Sequence, residues 1–247
     1  MPLDFLLTLA SLGTATLSGV LGMAGGLLLF GVYSAALPLA SAVVLHSGTQ
    51  LMSNLGRVAV QHRFVMLGPV FAFILGSIPI YGLFRWWAPH IEAPQLFILL
   101  GSLTLGSFLI PRLAFMDASQ PLGSAMAGAL TTAAQLTGGV GGPLMDVFWV
   151  GVTLDRRAIV ATKALTQAVA HVLRIAFWAP VAAAAWSDDI GPRTLLGIAA
   201  ATLAGTLLGS AILNRMGDGN FRRVTRGMVM VLGAVYLIRG LATIGRQ

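Results

Sequence analysis

Long apolar runs divide this chain, and they constrain its fold more than any other feature. A bilayer with a hydrocarbon core of about 30 Å is crossed by about 20 apolar helical residues, and eight segments approach or exceed that length. The segments, two of them interrupted by glycines, are Leu3–Tyr33, Leu39–Val60, Val65–Trp87, Pro94–Ile110, Pro121–Val152, Ala158–Ala185, Thr194–Leu213 and Val224–Ile244. Because backbone polar groups inside a bilayer must be satisfied within the protein, the sequence predicts an all-α polytopic membrane protein that forms one integral membrane domain.

Composition supports the membrane interpretation and excludes several other classes. Only 9% of the 247 residues are charged and 57% are hydrophobic, whereas ordinary soluble domains are about 25% charged. The balance is basic, with 15 Lys and Arg against 8 Asp and Glu. The arginines mostly flank apolar segments, as at membrane interfaces, and form no basic stripe, so we expect no nucleic-acid partner. Cysteine is absent, which excludes disulfides and thiolate metal sites.

An internal repeat is the second strong pattern. Gly22–Gly26 matches Gly138–Gly142 at an offset of 116 residues, and the polar positions of the segments that follow match at an offset of 117. A Thr-Gln pair and a later Arg are identical in the two copies, whereas His aligns with Lys and Asn aligns with His. Self-similarity of this kind indicates a duplicated unit. We therefore predict two homologous four-segment repeats, residues 1–115 and 116–247.

Each copy of the repeat carries five polar residues in a segment that is otherwise apolar. They are His46, Thr49, Gln50, Asn54 and Arg57 in the first copy, and Lys163, Thr166, Gln167, His171 and Arg174 in the second. At about 100° per residue, this spacing places each set of five on one helix face about 140° wide. Polar side chains in a bilayer face the bundle interior or a water-filled cavity. Two such stripes, rich in cations and without carboxylates, predict a site for a small anion and disfavour a divalent metal ion.

The two glycine-rich breaks point to the same site. Interrupted helices at corresponding positions of two halves mark binding sites in transporters, and a half-helix that begins after a break offers free N–H groups to an anion. Gly25, Gly26, Gly141 and Gly142 therefore join the candidate site. Simpler roles stay open for single residues, because glycine, threonine and glutamine also serve helix packing in membranes and the two stripe arginines lie late enough in their segments to snorkel.

The sequence contains no recognisable motif for catalysis or cofactor binding. It lacks the zinc-protease, P-loop and nucleophile-elbow patterns, and the glycine-rich breaks follow no strand that would make them dinucleotide-binding loops. We therefore expect neither an enzyme nor a requirement for a cofactor or a metal ion.

The doubled glycine motif, followed each time by a polar helix, resembles the TauE/SafE family of membrane transporters, which are described as sulfite and organosulfonate exporters. In that family each of two homologous halves opens with a motif of G-x-x-G-G type. Here Gly22–Gly26 and Gly138–Gly142 stand in those places, with Leu39–Val60 and Ala158–Ala179 as the polar helices that follow. The resemblance covers essentially the whole chain and implies a bacterial plasma-membrane exporter of small sulfur-containing anions.

The anion site together with what the resemblance implies predicts a secondary transporter that moves sulfite or a short organosulfonate out of the cytoplasm, across the bacterial plasma (inner) membrane, by alternating access. Coupling to a proton or another ion is expected, with His46 or His171 as the proton carrier. A passive small-anion channel and a non-transporting membrane assembly factor are the alternatives. The sequence leaves open the exact anion, the orientation in the membrane, the oligomeric state, and whether the repeats are parallel or inverted.

Overall fold

The computed structural model describes residues 2–22, 25–87, 117–138, 141–184 and 190–244, with the single residues 98, 101, 102, 105 and 186. Within these residues the secondary structure is helical and contains no strand, which confirms the predicted all-α class. The helices are α1 (Leu3–Leu21), α2 (Gly25–Ala36), α3 (Leu39–Gln61), a 3-10 turn (His62–Phe64), α4 (Leu67–Trp87), α5 (Pro121–Gly138), α6 (Gly142–Trp149), α7 (Arg156–Ala184), α8 (Pro192–Arg215) and α9 (Asp218–Ile244).

The helices agree with the apolar segments over most of the chain. In the described part, α1, α4, α7, α8 and α9 are long and apolar enough to cross a membrane. The 23-residue α3 is long enough too, but its polar stripe lowers its hydropathy. α7 and α9 begin earlier than the apolar segments, at Arg156 and Asp218, because hydropathy marks only the part of a helix that lies in hydrocarbon. The predicted segment Pro94–Ile110 lies outside the continuously described residues.

The first glycine break separates α1 from α2, as predicted. Gly22 caps α1 in the left-handed conformation, with φ of 66°, and its N–H donates to the Ser18 carbonyl at 2.7 Å. Glycine adopts this conformation without the steric penalty of a Cβ atom. Gly25 then begins α2 against α1, where a Cβ atom would lie 2.0 Å from the Thr14 carbonyl oxygen and 2.3 Å from the Ser18 hydroxyl.

The second glycine break separates α5 from α6 in a similar way. α6 begins at Gly142 with Pro143 in its first turn, where proline loses no helical hydrogen bond. A Cβ atom on Gly141 would lie 2.7 Å from the Thr131 carbonyl oxygen and 2.4 Å from Cγ of Gln135. In both breaks, therefore, a glycine packs against a threonine carbonyl and the residue four positions after that threonine.

The chain forms two compact units, each built from segments distant in sequence. The first unit comprises Met1–Val65 and Arg156–Gly217, and the second comprises Met66–Asp155 and Asp218–Gln247. In the first unit α1 packs against α8, and α3 packs against both α7 and α8. In the second unit α4 packs against α5, and α6 contacts α5 and α9.

Small residues allow α1 and α8 to approach at the level of their backbones. A Cβ atom on Gly205 would lie 2.4 Å from the Leu12 carbonyl oxygen, and one on Gly209 would lie 2.3 Å from the Thr16 carbonyl oxygen. Such contacts are typical of membrane helices, whose association depends on close packing. This helix pair holds the first glycine break, at the end of α1, in a fixed place within the unit.

Candidate anion-binding site

The two predicted polar stripes lie inside the first unit, on helices that pack against each other. All ten stripe side chains are buried: His46, Thr49, Gln50, Asn54 and Arg57 on α3, and Lys163, Thr166, Gln167, His171 and Arg174 on α7. Neither stripe arginine snorkels, since Arg57 and Arg174 are 1% and 0% exposed. Burying a cation in a membrane protein is costly unless another group or a ligand compensates its charge. The groups around each arginine therefore indicate whether it stabilises the fold or is available to bind a ligand.

Arg174 uses only part of its hydrogen-bonding capacity within the described part of the protein. Its Nη1 donates to Nδ1 of His46 at 3.0 Å, and its guanidinium carbon lies 5.1 Å from the centroid of the Phe30 ring. Its Nε and Nη2 have no hydrogen-bond partner among the described residues. These two nitrogens form one edge of the planar guanidinium, and their N–H bonds point in parallel. Arg174 thus presents a pair of buried donors that no other described residue accepts from.

Two other buried polar atoms of the stripes lack partners in the same described region. They are Nδ1 of His171 and Nδ2 of Asn54. The His171 ring meets the His46 ring edge to face, with the centroids 5.7 Å apart. His46 in turn donates from Nε2 to the Gly26 carbonyl at 2.8 Å. The histidines of the two stripes therefore meet beside the start of α2.

Arg57 differs from Arg174 although the two align in the repeat. Its Nη1 donates to the Ser18 carbonyl at 3.0 Å, its Nε donates to the Ser53 carbonyl at 3.4 Å, and its Nη2 donates to Oδ1 of Asn54. The Ser18 carbonyl belongs to the last turn of α1, where the helix dipole favours a cation. Arg57 is therefore engaged in fixing the end of α1.

Lys163 lies at the same helix end. A Cβ atom on Gly22 would lie 3.8 Å from both Nζ of Lys163 and Nη1 of Arg57. The two cations thus flank the first glycine break, and a side chain at this position would occupy the space beside them. The side chain of Gln50 packs against Gly26 in the same break, because its amide carbon lies 3.3 Å from the position that a Cβ atom on Gly26 would take.

The stripe threonines bond in a way that the sequence did not indicate. Thr49 donates its hydroxyl to the Leu45 carbonyl at 2.8 Å, and Thr166 donates to the Lys163 carbonyl at 2.9 Å. A hydroxyl has one hydrogen, so each threonine would have to give up this bond before it could donate to an anion. Their predicted role as donors to the substrate stays a prediction, as does contact with Gln167.

Sequence reasoning missed several residues of this region. Phe30 lies beneath Arg174, and Tyr33 is fully buried with its hydroxyl 2.8 Å from Oγ of Ser11 and 3.4 Å from Oγ1 of Thr49. Tyr33 and Ser11 are polar groups in apolar segments, and that signal could have found them. Nothing in the sequence distinguishes Phe30 from the other apolar residues around it.

The second glycine break lies in the second unit. Gly141 is buried, and the adjoining face of α5 carries Thr131 and Gln135, whose Oγ1 and Oε1 atoms lack hydrogen-bond partners among the described residues. Neither residue belonged to the predicted site, although Thr14 and Ser18, which pack against Gly25 at the first break, are polar as well. Gly141 and Gly142 thus begin a half-helix beside unsatisfied polar groups, and their contact with a substrate stays a prediction.

Helices long enough to cross a membrane, a helix break in each unit and a buried cationic cluster indicate a multi-pass membrane protein. The chain belongs to the TauE/SafE family, because the family model described as Sulfite exporter TauE/SafE matches residues 7–236. The match covers nearly the whole sequence and confirms the resemblance seen in the glycine motifs. A comparison with curated proteins and one with solved structures found no match to the chain.

Proposed function

We propose that this protein is a secondary transporter that exports sulfite or a short organosulfonate across the bacterial plasma membrane. The observation that carries the proposal is the Nε and Nη2 edge of Arg174, which is fully buried and has no partner in the described part of the protein. A buried charged group with unused donors is unfavourable by itself. An anion that binds there would supply the missing charge and the missing acceptors.

The shape of this edge supports an oxyanion over a single-atom ion. Two parallel N–H donors match two oxygens of one sulfite or sulfonate group, as in the paired hydrogen bonds that arginine makes with carboxylates and phosphates. Chloride is a single atom, so it could not place a separate acceptor in front of each of the two parallel N–H donors. Nδ1 of His171 and Nδ2 of Asn54 also lack partners in the described region and are candidate contacts for further oxygens.

The surrounding charges favour the same class of substrate. Arg57 and Lys163 add positive charge beside Gly22, and the ten stripe residues include no carboxylate. Divalent cations prefer oxygen ligands, carboxylates above all, so this cluster suits an anion. We retain the other predicted contacts, from Gln50, Thr49, Thr166, Gln167 and the N–H groups at Gly25 and Gly26, as part of the proposal.

Proton coupling through the stripes would make the transport active, and alternating access would carry the anion across the membrane. His171 is the better candidate for the coupled proton, because its Nδ1 is not bonded to another described residue. The stripes already carry Arg57 and Arg174 and no carboxylate, so a bound anion would compensate the charge of an added proton. Anion and proton would then bind together.

The decisive binding experiment is thermal stabilisation of the purified protein by sulfite, sulfoacetate, sulfate and chloride. A ligand that binds only the folded state stabilises it by about 2.7 kcal/mol at a concentration of 100 Kd. We expect sulfite or sulfoacetate to stabilise the protein most and chloride least. Arg174→Gln should abolish the effect, whereas Arg85→Gln, an exposed arginine in the last turn of α4, should retain it.

Flux into proteoliposomes distinguishes the remaining alternatives. Accumulation of sulfite against its gradient, driven by a pH difference, supports a coupled transporter, whereas flux that only equilibrates sulfite would indicate a passive channel. Absence of both binding and flux for all four anions would contradict the proposal and leave the assembly-factor interpretation.

A further inference from the structure

His46 makes two hydrogen bonds whose partners fix the state of its ring. The Gly26 carbonyl oxygen, 2.8 Å from Nε2, can only accept, so Nε2 carries a hydrogen. The Arg174 guanidinium, with Nη1 at 3.0 Å from Nδ1, can only donate, so Nδ1 carries a lone pair. Together these contacts define a neutral imidazole with its hydrogen on Nε2.

A second proton on His46 would destroy this arrangement. It would have to occupy Nδ1, where it would replace the acceptor of Arg174 and place two positive groups 3.0 Å apart. His171 is not constrained in this way, because its Nδ1 has no partner among the described residues. The two histidines, which meet edge to face, are therefore not equivalent.

The hydrogen bond that Arg174 donates to His46 also decides which edge of Arg174 is available. With Nη1 bonded to His46 and the guanidinium carbon 5.1 Å from the centroid of the Phe30 ring, the Nε and Nη2 edge is left without a partner in the described region. His46 is itself anchored to the Gly26 carbonyl in the first turn of α2. Two hydrogen bonds through the His46 ring thus connect Arg174 to the backbone at the first glycine break.

We propose that His46 is a neutral positioning residue that turns the paired donors of Arg174 towards the anion and takes no part in proton transfer. The inference rests on the proposed function, since it assigns a role within the same anion site. It also separates two histidines that the sequence presents as interchangeable candidates for a proton carrier. One of them orients the guanidinium, and the other remains available for the proton.

Charged and titratable side chains lie on every helix and turn that packs against α3. They are Asp4 on α1; Tyr33 on α2; His62 and Arg63 on the 3-10 turn; Arg156, Arg157, Lys163, His171 and Arg174 on α7; and Arg193 and Arg215 on α8. Arg174 bonds to the His46 ring, and His171 meets it edge on. Both neighbours disfavour additional positive charge on His46 when they are themselves charged.

Two substitutions separate positioning from proton transfer. His46→Asn keeps an acceptor where Nδ1 now faces Arg174, whereas His46→Leu has a similar volume and no acceptor. We expect His46→Asn to keep the sulfite Kd within about threefold of wild type and His46→Leu to weaken it about tenfold or more, as for loss of a hydrogen bond to a charged group. His62→Gln, at an exposed histidine on the 3-10 turn, is the matched control and should bind like wild type.

The pH dependence of sulfite flux provides the readout that a purely structural role would not change. His46→Asn should keep the wild-type pH profile, and His171→Asn should lose it. The opposite result, with the profile lost in His46→Asn and kept in His171→Asn, would overturn the assignment even if His46→Leu fails to fold. A wild-type Kd in folded His46→Leu would also refute it. If wild type itself binds none of the anions, the proposed function fails instead.

Discussion

Arg57 and Arg174 occupy equivalent positions in the two repeats, and the structure predicts that their removal has opposite consequences. Arg57→Gln removes the hydrogen bonds to the Ser18 and Ser53 carbonyls and to Oδ1 of Asn54. Arg174→Gln removes one, to Nδ1 of His46, together with two donors that have no partner among the described residues. Arg57→Gln should therefore destabilise the protein and weaken anion binding only in part, whereas Arg174→Gln should abolish binding without destabilising the fold.

The expected magnitudes follow from these bonds. A hydrogen bond to a charged group contributes about 1.5–3 kcal/mol, and removal of a buried charge returns part of that free energy. For Arg57→Gln we expect a net loss of about 2–4 kcal/mol, which lowers Tm by roughly 5–15 °C for a chain of this length. For Arg174→Gln the lost bond and the relieved burial nearly cancel, so Tm should stay within about 3 °C of wild type.

Thermal unfolding of the two variants, with and without sulfite, measures both effects. Sulfite at 100 Kd should raise the Tm of wild type by roughly 5–10 °C, should raise that of Arg57→Gln by less, and should leave Arg174→Gln unchanged. Equal losses of Tm in the two variants would refute the reasoning, because the difference in bonding would then have no energetic effect. If sulfite raised the Tm of Arg174→Gln as much as that of wild type, the proposed binding of sulfite by Nε and Nη2 of Arg174 would be refuted.

Further substitutions test the first glycine break and its polar surroundings by thermal unfolding. Gly25→Ala would drive a methyl group into the Thr14 carbonyl oxygen, 2.0 Å from the Cβ position, and should lower the free energy of unfolding by about 2–3 kcal/mol. In the control variant Gly31→Ala, on the same helix, the new methyl group meets no atom within 4 Å, so this change should be neutral or stabilising. Similar effects of the two substitutions would contradict the packing at Gly25. Gly22→Ala leaves space for a Cβ atom, but the φ of 66° at this position is unfavourable for alanine. Backbone strain alone should therefore lower the free energy of unfolding by about 1–2 kcal/mol. An unchanged Tm would show that the left-handed turn at the end of α1 does not contribute to stability. Tyr33→Phe leaves two hydroxyl partners without their shared group and should lose about 1–3 kcal/mol, and a more stable variant would argue against that polar network.

Periodicity and repetition predicted much of this structure from sequence alone. The 3.6-residue period and the duplicated spacing placed His46 and Arg174 on buried helix faces, because polar residues in a membrane segment must turn away from lipid. The glycine motifs predicted both helix breaks, since glycine permits the left-handed conformation of Gly22 and the close backbone approach at Gly141. The membrane class followed from composition, and the family from the doubled motif.

Other features could not be predicted, because they depend on contacts between distant segments. Arg57 and Arg174 look identical within the repeat, and only the approach of α1 to α3 gives Arg57 its carbonyl partners. The threonine hydroxyls could have faced a substrate or their own helix, and a local hydrogen bond to a carbonyl one turn earlier competes with any external partner. Phe30 carries no sequence signal because its role comes from the side chain above it.

The seam between α1 and α8 limits how this protein can change shape. Gly205 and Gly209 bring the two backbones so close that no side chain separates them, and interfaces of this kind have few alternative arrangements of similar energy. Sliding one helix along the other would press methylene groups or carbonyl oxygens together at every step. Any conformational cycle must therefore carry these two helices as a single rigid body, and the movable parts must be sought among the short helical pieces and their connections.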